Sequence, residues 1–137
     1  VADKTRSQKL KRLVAVQRHL EQMAEHDLAE TSRQRAEVSV QMDSVIVALG
    51  SMDPVHHAFS QGYADRFNRL GIKDKQLDGM QQIHEMRVIQ ERAKGDRLED
   101  GMRKALDAER READDNAIYD IIDQKFGTPA SSKLQKP

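Results

Sequence analysis

The stretch 5–49 contains neither proline nor glycine, and no other feature limits the fold of this chain so strongly. Along it runs a stripe of Leu10, Leu13, Gln17, Leu20, Ala24, Leu28, Thr31, Arg35, Val38, Met42, Val45 and Leu49. Its steps alternate between three and four, apart from two consecutive fours around Ala24. A repeat averaging 3.5 residues keeps one face of a helix against a partner, so the spacing predicts a long coiled-coil helix carrying one stutter. Thr31 and Arg35 loosen the seam within ETSRQRAE, which reads as a locally weaker coil.

The break is GSMDP, at 50–54. Gly50 suits the left-handed position just past a helix end, Asp53 suits an N-cap, and Pro54 suits the first helical turn, where no amide donor is needed. A second helix is then expected over about 54–70. It carries Val55, Phe59, Tyr63, Phe67 and Leu70 on one face, and so holds three of the chain's five aromatic residues. Leu70-Gly71-Ile72 reads as a Schellman stop, with Asp74 capping a third helix over about 74–125. The competing layout is a helix continuous through Gly71. Leu77, Met80, His84, Leu98, Met102, Ala105 and Ile118 are the expected inward positions of the third helix. Gly79, Gly95 and Gly101 within it invite a bend or a close helix approach.

Only 37% of the 137 residues are apolar, while 34% are charged and tryptophan is absent. Paired helices that each bury a narrow stripe need no more than that. The predicted fold is all-α: a long antiparallel coiled-coil hairpin with a short aromatic-faced helix at the tip. The tip helix is expected to cover Val45, Leu49, Leu77 and Met80. A single domain over 1–126 is expected, followed by a polar, disordered tail over 127–137. Residues 1–18 hold six basic residues and one acid, net +5, whereas 96–123 hold ten acids and five basic residues, net −5. A hairpin sets these blocks side by side. The same blocks also suit an antiparallel homodimer, so the sequence leaves oligomeric state open.

Over the whole chain 23 basic and 23 acidic residues cancel, so no net field recruits nucleic acid or anionic lipid. With no cysteine there is neither a disulfide framework nor thiol chemistry. No long apolar run is present for membrane insertion, and VADKTRSQKL lacks the apolar core of a secretion signal, so a cytoplasmic protein is expected. Valine at position 1 leaves the true N-terminus open. His19, His26, His56, His57 and His84 are the candidate metal ligands, but no Glu-x-x-His or His-Glu-x-x-His spacing joins them. There is no Gly-x-Ser-x-Gly, no phosphate-cradling glycine loop, and no pocket expected in so narrow a fold. No catalytic residue, metal or cofactor is therefore assigned, and the chain reads as non-enzymatic. Two sets of residues remain as candidate partner contacts. His57, Arg66, Asn68 and Arg69 lie off the aromatic stripe at the tip. Lys4, Arg6, Lys9, Lys11 and Arg12 form the basic start of the first helix. The latter set also supports an alternative reading as a nucleic-acid-associated helical protein, weakened by the acidic block expected beside it and by the lack of aromatic-basic repeats.

KLKRLVAVQRHLEQMAEHDLAE in the first helix and QERAKGDRLEDGMRKALDAERREAD in the last, together with length, charge density and heptad character, resemble the FliJ/YscO family of type III export proteins. The resemblance implies a coiled-coil stalk that contacts the hexameric export ATPase and the export gate of a flagellar or injectisome apparatus. No residue role is carried over. The stop at Gly71 and an aromatic tip helix depart from a plain family hairpin.

Overall fold

In a computed structural model the backbone is described for residues 4–134 and side chains for 4–127. The described residues form three helices, α1 (Arg6–Leu49), α2 (Pro54–Ala58) and α3 (Ser60–Leu134), and no strand. α1 and α3 pack against each other as a helical hairpin, with α2 in the turn. The chain falls into two compact units, Val16–Gly95 and, from the segments on either side of it, Val1–Ala15 with Asp96–Pro137.

α1 starts at a capping box. The Thr5 hydroxyl accepts from the Gln8 amide (3.3 Å), and the Gln8 carbonyl oxygen accepts from the Thr5 amide (3.1 Å). This reciprocal pair satisfies two amides that a helix start leaves free.

Within Val16–Gly95 the α1 seam runs Gln17, Glu21, Ala24, Leu28, Thr31, Arg35, Val38, Met42 and Val45. Facing it on α3 are Tyr63, Phe67, Leu70, Asp74, Leu77, Gln81, His84, Val88, Glu91 and Gly95. Both alternate strictly between threes and fours, so the expected stutter is absent. Leu20 stands off the seam, and so does Leu13 in the other unit, 51% exposed. An unbroken heptad on both helices avoids the local rewinding a stutter demands. Its consequence is that Gln17 and Glu21 enter the seam in place of leucine. Gln17 Nε2 donates to the Glu91 backbone carbonyl (3.1 Å) and to the Glu91 carboxylate. Glu21 accepts from Arg18 (2.8 Å) and Arg92 (3.2 Å), and Arg18, more than Arg92, holds its carboxyl below the usual range. Arg35 reaches Asp74 (3.0 Å) and Asp78 (2.9 Å), while Arg87 reaches Asp27 (3.3 Å). These pairings descend along one helix as they ascend the other, which makes the two antiparallel.

The apolar core of this unit gathers Val38, Val45, Leu70 and Leu77, with Met42, Tyr63 and Phe67 packed against it. Leu70 is buried in this core and Asp74 holds Arg35. A stop at Gly71 would undo both. The helix therefore continues through Gly71 without a left-handed residue, and neither the Schellman stop nor the Asp74 cap is present. Forgone here is only a glycine's cost inside a helix, about 1 kcal/mol. The expected helix over 54–70 is instead divided at Phe59, and α3 runs on to Leu134 rather than ending near 125. Met80 and Ile118, expected inward, are exposed. Gly95 provides the close approach: a methyl there would meet the Arg18 guanidinium at 2.7 Å, whereas Gly79 and Gly101 face open space.

In the second unit Ser7 is buried and ties α1 to α3. Its amide donates to Glu109 Oε1 (3.0 Å) and its hydroxyl to Glu109 Oε2 (2.5 Å). One carboxylate thus satisfies an open amide at the start of α1, where the helix dipole favours negative charge. Leu10, Val14, Leu98, Met102 and Ala105 complete this seam. Past Glu109 the described side chains of α3, 110–127, are all exposed. The basic start of α1 therefore faces only part of the acidic block, with Arg6 lining one groove with Glu109 and Glu112.

Candidate functional site

Much of the backbone of the hairpin turn is bonded within it. The Gly50 amide donates to Ile46 (3.0 Å) and the Ser51 amide to Ala48 (3.2 Å), so α1 ends without the left-handed glycine expected at Gly50. Ser51 Oγ accepts from the Asp53 amide (3.1 Å), and Asp53 Oδ1 accepts from the Val55 amide (3.0 Å). With Pro54 following, Asp53 is the expected N-cap. Phe59 closes α2, its amide donating to the His56 carbonyl (3.2 Å), and its own carbonyl accepts from the Tyr63 amide (3.0 Å).

The side chains of the same segment do the reverse. Val47 is 73% exposed, Met52 98%, Val55 61% and Phe59 61%, with Ile46 and Leu49 also open. Of the three rings expected to cover the helix ends, Tyr63 and Phe67 pack on the core and Phe59 does not. The Tyr63 hydroxyl meets His56 Nδ1 at 2.9 Å, so its polar end is satisfied and its ring stays in place. The turn that carries this apolar surface is held by hydrogen bonds from the Gly50, Ser51, Asp53, Val55 and Phe59 amides. Exposed apolar residues grouped in this way mark a binding surface.

His57, Arg66, Asn68 and Arg69 are all exposed in this unit. Arg66 lines a groove of about 210 Å³ between Val40, Ser44, Val45 and Tyr63. It is the one of the four that the fold brings directly to apolar lining. Lys4, Arg6, Lys9, Lys11 and Arg12 are exposed in the other unit. Among the described residues none of those five cations has an ion pair, and Glu109 is taken by Ser7.

Ile46, Val47 and Met52 were not among the sequence candidates. Their signal is Val45-Ile46-Val47-Ala48-Leu49, since five successive apolar residues on a helix point all round it and cannot share one buried face. His84, in the seam, carries a buried Nδ1 without a partner, alone in this among the described side chains. No group of three or more potential metal ligands occurs among the described residues, and no described helix is long and apolar enough to cross a membrane. The arrangement at the turn offers apolar area bordered by cationic donors, which is the chemistry of binding. No family model matches the chain, and no characterised protein or solved structure does either.

Proposed function

We propose that this chain is a non-enzymatic coiled-coil adaptor that docks a protein partner on the apolar surface of its turn. The observation that carries this reading is the exposure of Val47, Met52, Val55 and Phe59 on a turn held by hydrogen bonds from the Gly50, Ser51, Asp53 and Val55 amides. Such a surface loses little conformational freedom on binding and offers aromatic and methionine side chains as anchors. Arg66, Arg69 and His57 beside it supply polar contacts at the rim. The resemblance to the FliJ/YscO family gives the adaptor a concrete setting, a cytoplasmic stalk in contact with a type III export ATPase and export gate. Met52→Asp together with Phe59→Asp, both exposed, is expected to abolish capture of a purified export ATPase while leaving the helical circular dichroism signal intact. If the ATPase does not bind the unaltered chain, the export setting falls. If every captured partner still binds the double variant, docking at the turn is wrong.

Lys4, Arg6, Lys9, Lys11 and Arg12, without an ion pair among the described residues, favour a second reading, association with nucleic acid. Five acids and no base over 112–123 of the same unit weigh against it. Contacts of that kind weaken steeply as salt rises. A chain that retains no DNA or RNA at low ionic strength excludes them.

A further inference from the structure

α3 carries a second uncovered stripe, Ile118, Tyr119, Ile122 and Phe126, spaced i, i+1, i+4 and i+8 on a helix with no neighbour among the described residues. Phe126 is 73% and Tyr119 66% exposed. The stripe spans about a 100° arc, the width of face a helix normally buries. Its charge is acidic up to 123, with Lys125 beside Phe126. Asp115 lies one turn before Ile118 and Tyr119, Asp123 one turn after Tyr119, and no basic residue falls between 112 and 123.

The same unit contains an apolar groove. Val14, Ala15, Met102 and Leu106 wall an open space of about 750 Å³, with Lys11 and the Ser7-bound Glu109 at its edge. Lys4 lies one heptad before Lys11 and likewise has no ion pair among the described residues. Stripe and groove cannot meet within one chain. Met102 and Leu106 belong to the same unbroken helix as Ile118 and Phe126, and that helix would have to fold back on itself.

We propose that the occupant is a second copy of this chain, the 118–126 stripe of each copy lying in the other copy's groove. The arrangement is two-fold and closed, so each contact is made twice. It brings Asp115 and Asp123 toward Lys4 and Lys11. Pairing stripe to stripe instead would set five acids against five.

Sedimentation equilibrium of the full chain tests this. A dimer is expected, and Ile122→Asp with Phe126→Asp, both solvent-facing, reduces it to monomer with unchanged helicity. Lys4→Glu with Lys11→Glu weakens association by about tenfold or more, as does Asp115→Lys with Asp123→Lys. Combining all four reversals in one chain restores it. A wild-type chain that stays monomeric up to its solubility limit overturns the proposal, as does a dimer indifferent to the Ile122/Phe126 variant. Loss of dimer through Met52→Asp and Phe59→Asp would place self-association at the turn, and overturns it equally.

Discussion

Near the turn, Val38, Val45, Leu70 and Leu77 hold one unit together by burial; in the other unit, seam positions of the same heptad kind are filled by Ser7 and Glu109. The first kind of layer supplies most of the free energy but little selectivity, because an aliphatic side chain packs acceptably one heptad away. The second supplies little energy and much selectivity. Ser7 offers two donors, amide and hydroxyl, and Glu109 two acceptors, so one register satisfies all of them. Gln17 with Glu91, and Arg35 with Asp74 and Asp78, extend this logic along the seam of Val16–Gly95. Helices with such narrow apolar stripes would otherwise slide.

Leu77→Ala should show the largest effect of any single change considered. Leu77 is 5% exposed within the four-residue core, and such a truncation costs about 2–5 kcal/mol, depending on how far the site collapses. Thermal unfolding followed by circular dichroism checks it. A loss within the range of a surface substitution would mean that this cluster is not the energetic centre of its unit.

Ser7→Ala should cost less than Leu77→Ala and act on register. The hydroxyl of Ser7 is the foremost cause of the lowered Glu109 pKa and its amide the next, so the variant removes the larger cause and keeps the smaller. The Glu109 carboxyl, followed by NMR, should titrate higher than in the wild type yet still below an ordinary glutamate. A wild-type value already ordinary would show the contact absent in solution. The sign of the pH effect follows. A carboxyl whose folded pKa lies below its unfolded one contributes fully above the unfolded value, and that contribution is lost as pH falls through the folded value. Glu21 and Glu91 are lowered in the same direction, by Arg18 and by Gln17 first. Acid should therefore loosen the polar layers before the aliphatic core, with amide exchange at 17–21 and 91 rising ahead of that at 38–45.

Much of this was legible in the sequence, and each misreading has a physical source. The heptad stripe from Ala24 to Val45 falls where expected, and so does the Asp53-Pro54 start, because both depend on local chemistry alone. Leu20 was misplaced because an apolar side chain is a poor guide where the partner helix offers Glu91 and Arg92 instead of leucine, and Leu13 because the unbroken heptad puts Val14 in the seam. The capping box Thr5-x-x-Gln8 was present in the letters and marks the first turn. At the turn, the exposure of Arg66 and Arg69 was readable, while the groove beside Arg66 was not, since its walls come from two helices whose register only the fold sets.

Gly71 is where local and tertiary preference compete most openly, and Gly71→Ala decides between them with the smallest change. A methyl at Gly71 meets nothing within 4 Å and the backbone there is helical, so alanine should add up to about 1 kcal/mol by restricting the unfolded chain. Were Leu70-Gly71-Ile72 a left-handed stop, the same alanine would be strained by about 1–2 kcal/mol and the sign would reverse. Continuity at this point is what sets Leu70 against Val38 and Val45 while Asp74 reaches Arg35, so a reversed sign in denaturant unfolding would dismantle the seam as well as the helix.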